Sequence, residues 1–336
     1  MSTPRTCKGP SSMMTKPDPT PYQTLPAARL GDPTTPLAWL LAELFLVGGA
    51  GLLAGAPKTT KSFFALELAV AVASGTAAAG RFAVPAPGPV LLCAAEDPPA
   101  VVVRRLAALA ATRERTLASL PLEVIVEAGV QLPQGLDRLA ATITALQPRL
   151  LLLDPLIRFH RADENSSVEM AVILDGIRAL ARTTGCAILL VHHTRKAPAG
   201  HHAGLGLRGS SDLWAFGDGN LYLRRLAPDG LLELRIEHRA AACPPPIRLR
   251  LCVEEGRVSR ASYHCEEAIT QDPLRDRTLR LVRDGPTPLS TAALRSVLGV
   301  RNQTLLTTLQ QLAAEGLLRR VGREGWTLAP ADPSGS

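Results

Sequence analysis

The run Gly55-Ala56-Pro57-Lys58-Thr59-Thr60-Lys61-Ser62 carries the residue types that phosphate chemistry needs. Such chemistry calls for a strand that ends abruptly, a loop whose backbone N–H groups converge on the anion, a lysine for the outer phosphates and a hydroxyl for a divalent cation. The apolar Gly51-Leu52-Leu53-Ala54 supplies the strand, and Lys61 and Ser62 supply the cation and the hydroxyl. The helical stretch from Lys61 to Ser74 sets its positive dipole end at the same place. Thr60 stands where the second glycine of the G-x-x-x-x-G-K-[ST] pattern belongs. A β-branched residue resists positive φ and crowds a ligand lying on the backbone, so a glycine-like conformation at Thr60 would be strained, with Lys58 in reach as a second cation beside the phosphates. Taken alone, the loop also reads as an ordinary Gly/Pro turn before a buried helix.

Other strand ends carry matching groups. The apolar run Gly88 to Ala95 delivers Glu96-Asp97-Pro98-Pro99, at the edge where parallel sheets bind ligands. Asp97 is expected to cap the helix starting near Pro98, which leaves Glu96 to polarise a water. Leu150 to Leu153 end in Asp154, a carboxylate suited to orient Mg²⁺ directly or through water. Cys186 to Val191 end in His192-His193, and His193 reads as a sensor of the terminal phosphate. With His201 and His202 nearby the histidines could form a metal set, but no carboxylate or cysteine completes a helical or hairpin spacing. Arg208, in the loop-like Gly200 to Gly209, is either a surface arginine paired with an acid or a group that reaches phosphates held by a neighbouring subunit.

The elements that must position these groups alternate. After the helix from Lys61 come strand Gly88–Ala95, strand Leu122–Glu127, helix Gly135–Leu146, strand Arg149–Leu153, helix Val168–Thr184 and strand Cys186–Val191. That alternation of apolar strands and helices predicts a doubly wound α/β sheet. Strands Asn220–Leu226, Leu231–His238, Ile247–Val253 and Arg257–Tyr263, joined by turn sequences, are expected to extend it in antiparallel fashion at one edge. Leu37 to Phe45 reads as a short helix leading into the first strand. Residues 1–35, rich in Pro and Thr, read as a disordered arm without the apolar core of a secretory signal.

Composition narrows the classes. A chain of 336 residues, 46% apolar, can bury one large core and a small one. The six cysteines lack disulfide or zinc spacing, which fits a reducing cytoplasm. The apolar tract Leu37 to Ala56 is broken by Glu43 and four glycines and is not a membrane span. The net charge of +7 agrees with a nucleic-acid partner, although with only five lysines the charge is nearly all arginine, as a GC-rich gene would also produce.

From Leu37 to Arg239, the loop Gly55–Ser62, Ala95-Glu96-Asp97-Pro98-Pro99, Leu153-Asp154 with Arg158-Phe159-His160 and Glu164-Asn165, His192-His193 and Arg208-Gly209-Ser210-Ser211 together resemble the RepA-type hexameric replicative helicases of plasmids. These are RecA-like P-loop ATPases of the AAA family. The resemblance implies ATP and Mg²⁺ as cofactors, with Gly55, Lys58, Thr59, Thr60, Lys61 and Ser62 cradling the nucleotide and Ser62 and Asp154 serving the metal. It also implies that Glu96 activates water, His193 senses the γ-phosphate and Arg208 acts across a subunit boundary. A homo-oligomer, a hexamer, with single-stranded DNA in its channel is the implied assembly. Two features depart from the family: Thr60, and a C-terminal segment those helicases do not obviously share.

That segment, residues 272–330, reads as a separate domain after the ATPase domain of residues 36–265. Helices Leu274–Val282, Ser290–Leu298 and Asn302–Glu315 precede a hairpin over Leu317–Leu328, the plan of a winged helix-turn-helix. Arg301 and Gln303 on the third helix and Arg319, Arg320 and Arg323 on the wing would form a DNA surface, although such modules also dock proteins. The whole reads as an ATP-hydrolysing motor acting on DNA. The alternatives are a nucleotide-switched DNA-binding regulator or loader, slowed by Thr60, and a RecA-like regulatory ATPase that does not unwind.

Overall fold

The computed structural model describes residues 21–329 except 22, 33, 126–129, 195–210, 227–229, 256–258, 267–273, 286–287, 299, 301 and 323–324. The chain divides into two units, Met1–Leu37 and Ala38–Ser336. In the first, the described residues are exposed and include one 3-10 turn, Ala27–Arg29.

The second unit opens with a hairpin of β1 (Trp39–Leu41) and β2 (Phe45–Leu46), which replaces the expected helix. The buried residues Leu40, Leu41, Leu44 and Phe45 have a helix-like spacing, but Glu43 turns the chain at φ 62, a left-handed conformation that a right-handed helix cannot contain. There follow β3 (Ala50–Gly55), α1 (Lys61–Ser74), β4 (Val90–Ala94), α2 (Pro99–Thr112), β5 (Leu122–Val124), α3 (Leu136–Leu146), β6 (Leu150–Asp154), α4 (Ser167–Thr184) and β7 (Ala187–His193). After α5 (Ser211–Phe216) come β8 (Gly219–Arg225), β9 (Leu231–His238), β10 (Ile247–Glu254) and β11 (Arg260–Glu266). Strand β5 is shorter than expected, and residues 126–129 beyond it lie outside the described set.

These strands form one nine-stranded sheet in the order β11-β10-β9-β8-β3-β7-β6-β4-β5. Strands β3 to β8 run parallel, and β9, β10 and β11 continue from β8 in antiparallel fashion. This is an α/β fold with a central, mostly parallel sheet extended in antiparallel fashion at one edge, and the strand that enters the loop lies at its centre. Side chains alternate between the faces: Leu53, Val90, Leu92, Leu150 and Leu152 enter the core shared with α1 and α2, whereas Leu52, Leu91, Cys93, Leu151 and Leu153 enter the core shared with α3 and α4. Burial on both faces explains why the parallel strands read as unbroken apolar runs.

Helix α1 is buried nearly all round, and it carries one charge inward. Glu67 is 1% exposed, accepts from the Ala79 N–H at 2.9 Å and pairs with Arg113, the residue that follows α2, at 2.5 Å. Arg113 also donates to Thr76 Oγ1 at 2.7 Å and the Leu109 carbonyl at 3.1 Å. Removing one partner leaves the other charge buried, so Glu67→Ala is expected to destabilise the protein by about 3–5 kcal/mol in a chemical denaturation series. A loss under ~1 kcal/mol would show that water reaches Arg113.

The C-terminal described residues form α6 (Leu274–Asp284), α7 (Thr291–Leu298), α8 (Asn302–Ala314) and a ribbon of β12 (Leu318–Val321) and β13 (Gly325–Leu328). They gather a hydrophobic cluster of their own around Leu294, Leu305, Leu309 and Trp326, whose indole N–H donates to Thr291 Oγ1 at 3.1 Å. Among the described residues no helix is long and apolar enough to cross a membrane.

Candidate functional site

Parallel register brings the functional strand ends to one edge of the sheet. Gly55 lies level with His193, and Asp154 with Ala94, two residues before Glu96. Gly55 is required by close approach: a Cβ there would sit 2.4 Å from the Leu223 carbonyl oxygen and 2.9 Å from Thr59 Oγ1.

Beyond Gly55 the loop folds on itself. The Thr59 hydroxyl and the Lys61 ammonium both donate to the Ala56 carbonyl, at 2.8 and 2.9 Å. Two non-glycine residues take left-handed backbone, Lys58 at φ 64 and Thr60 at φ 60. Thr60 thus takes the positive φ that a glycine would adopt in this pattern, and each such non-glycine residue costs roughly 1–2 kcal/mol. Each is held from outside the loop, Lys58 through its carbonyl by Arg225 at 2.8 Å, and Thr60 through its hydroxyl by the Tyr263 phenol at 3.1 Å. Sequence reasoning missed both partners, because Tyr263 lies 203 residues from Thr60 and no local pattern marks it.

Lys61 is 4% exposed; burial lowers its ammonium to about 8, against the pull of Asp154 and Glu96. Asp154 is 6% exposed and accepts from the Ser62 hydroxyl at 3.2 Å. Burial raises its carboxyl to about 6, helped by the Glu96 and Asp97 charges and opposed by Ser62 and Lys61. The folded protein therefore keeps this proton to a higher pH than the unfolded chain, and the associated stability, full below pH 4, is lost as pH rises through 6. An uncharged Asp154→Asn variant, which can still accept from Ser62, is expected to be up to about 3 kcal/mol more stable than wild type at pH 7.5 in metal-free denaturation. The gain should vanish at pH 4, and equal stability at both pH values would refute the buried charge.

The half-exposed Glu96 lies 3.7 Å from His193 Nε2. Burial, followed by the Lys61 charge, lowers the His193 pKa, so its imidazole is neutral near pH 7. His193 Nδ1 is buried without a hydrogen-bond partner among the described residues. Asp97 does not cap α2: the cap residue is Pro98 with no side-chain bond, and Asp97 instead pairs with Arg105 one helical face along. Pro99 at the helix start already lacks an N–H, which lessens the demand for a cap. Behind the edge, Glu164 Oε1 lies between His160 Nε2 at 3.8 Å and His192 Nδ1 at 3.6 Å, tying the loop before α4 to the end of β7.

Arg208 lies outside the described residues, as do Arg301, Arg323, His201 and His202. Gln303 is exposed at the start of α8, and Arg319 and Arg320 are exposed on β12. Being adjacent on a strand, those arginines leave opposite faces of the ribbon.

A solved structure titled "The Structure Of A DnaB-Like Replicative Helicase And Its Interactions With Primase" is similar to this chain at TM-score 0.49 and 16% identity, over 61% of this chain and 56% of that one. This chain thus spans a little over half the length of the chain it matches. A family model described as AAA domain matches residues 16–199, which include the phosphate-type loop, Glu96, Asp154 and His193. With more than half of its length matched in this way, the chain belongs to the AAA domain family.

Proposed function

We propose that this protein binds Mg²⁺-ATP at the Gly55–Ser62 loop and hydrolyses it, as a RepA-like motor that acts on DNA. The observation that carries this reading is the meeting of Lys61, Ser62, Asp154 and Glu96 at one sheet edge, with Ser62 and Asp154 3.2 Å apart. A hydroxyl beside a buried carboxylate fits a hard divalent cation, and a buried ammonium in the same loop fits a polyphosphate. Mg²⁺, when bound, would neutralise charge on the phosphates. Lys61 would bind the outer phosphates, Ser62 and Asp154 would hold the cation, and Gly55, Lys58, Thr59 and Thr60 would shape the cradle. Glu96 would accept a proton from the attacking water, and the neutral His193, 3.7 Å away, would orient Glu96 and respond to the terminal phosphate.

Arg208 as a group acting in trans, a hexameric ring and single-stranded DNA in its channel rest on the resemblance alone. For the C-terminal module we infer a winged helix, with Gln303 and the arginines at 301, 319, 320 and 323 toward DNA, supported by its three helices and ribbon. A second reading, a nucleotide-switched regulator with little turnover, is favoured by the left-handed Thr60.

Steady-state ATP turnover with and without single-stranded DNA, beside a strand-displacement assay, tests the proposal. DNA-stimulated turnover with displacement supports the helicase; stimulated turnover without displacement supports a regulatory ATPase. Tight nucleotide binding without turnover supports the switch.

A further inference from the structure

We propose that Tyr263 and Arg225 are positioning residues of the phosphate loop, through which the antiparallel strands hold its two left-handed, non-glycine residues in place. The proposal rests on reading that loop as the nucleotide site. Left-handed backbone in a β-branched residue persists only where its surroundings impose it. Here the impositions are visible one by one: Arg225, at the end of β8, donates to the Lys58 carbonyl at 2.8 Å, and the Tyr263 phenol, on β11, donates to Thr60 Oγ1 at 3.1 Å with Thr60 O at 3.3 Å. Thr60 Oγ1 makes no cap bond to α1, so its hydroxyl serves the phenol.

Tyr263 is itself immobilised. It is 1% exposed, with its ring edge-on to Phe64 at 5.1 Å and to Phe63 at 6.1 Å, both in the first turn of α1. Its strand is tied down on either side, by Thr112 of α2 donating to the Ala261 carbonyl at 2.8 Å and by the Cys265 N–H donating to the Ala79 carbonyl at 3.1 Å. Burial also holds the phenol well above its ordinary range, so it remains a donor at every working pH. A glycine at position 60 would adopt the same φ without support, but would leave the loop free to adopt others. Threonine plus tyrosine gives the left-handed turn with that freedom removed, which is preorganisation of the N–H cradle.

The test compares full-length wild type with Tyr263→Phe, Arg225→Ala, Thr60→Gly and the Thr60→Gly/Tyr263→Phe double variant. Tyr263→Phe keeps the ring packing and removes only the O–H. Two readouts are taken on each: amide hydrogen exchange of residues 58–62 without ligand, and the Kd of a fluorescent ATP analogue with Mg²⁺, alongside the melting temperature. Expected for Tyr263→Phe is roughly tenfold faster loop exchange and ~3–10-fold weaker analogue binding, as for loss of one net hydrogen bond. In the Thr60→Gly background the same deletion should have a clearly smaller effect on both readouts, because the 3.1 Å partner hydroxyl is gone and only the 3.3 Å contact to the carbonyl of residue 60 remains. Arg225→Ala should likewise quicken exchange at residues 58 and 59.

Unchanged loop exchange in both Tyr263→Phe and Arg225→Ala would overturn the proposal. So would an equal Tyr263→Phe effect with glycine at position 60, since the phenol would then act without the threonine hydroxyl it is proposed to hold. If wild type fails to bind the analogue, the nucleotide reading falls, while the exchange measurements still decide whether the two side chains hold the loop.

Discussion

Lys61→Ala is expected to lower kcat for ATP turnover by about 10²–10³-fold, the usual loss when one preorganised cationic donor to a developing anion is removed. The expectation follows from where the ammonium sits: 4% exposed, in the same loop as Ser62, close enough to Asp154 and Glu96 that both raise its pKa against the burial that lowers it to about 8. That balance also protects the experiment from a trivial outcome. An ammonium whose folded pKa lies below its unfolded value stabilises the fold least when charged, so its removal relieves a desolvation penalty at neutral pH. Melting temperature is therefore expected to hold while turnover collapses. A variant that turned over ATP at the wild-type rate would remove the enzyme reading and leave the nucleotide switch.

Glu96→Gln is expected to lower turnover by about 10²–10⁴-fold while leaving the Kd for Mg²⁺-ATP within a few-fold of wild type. Glutamine keeps the shape and a polar contact for His193, and loses only the ability to take a proton. Glu96 is half-exposed just beyond β4 and acts on Lys61 through its charge, so its loss is expected to leave the shape of the cradle in place. Single-turnover kinetics with a separate binding titration distinguish the two parameters. Equal loss of affinity and rate would make Glu96 a binding group, and no loss at all would return the water-activating role to another residue.

The legible parts of this molecule are those where one local pattern decides the structure. Leu150 to Leu153 can be little else than a strand buried on both faces, and the abrupt Asp154 marks where it leaves the sheet. The same pattern marks β4 with Glu96 and β7 with His193, so the edge that gathers these side chains is legible in the sequence. What stayed hidden depends on partners distant in sequence or on patterns that mimic one another. The spacing of Leu40, Leu41, Leu44 and Phe45 is shared by a helix face and a tight hairpin, and only the left-handed Glu43 separates them. Asp97 before two prolines has the look of a cap, yet Arg105 two turns along claims it. Glu67 is a single acid in an apolar helix, and its partner Arg113 follows another helix. The bonds from Tyr263 and Arg225 to the loop belong to the same class.

The pairing of Thr60 with Tyr263 bears on how this loop changes by mutation. Threonine and glycine codons differ at more than one base, so glycine is reached only through an intermediate. Alanine, one such step, would keep the Cβ that disfavours φ 60 and lose the hydroxyl that Tyr263 holds. Serine would keep both the hydroxyl and the fold of the turn. Of the two-step routes from threonine to glycine, through alanine, arginine or serine, the one through serine alone keeps the bond to the tyrosine along the way.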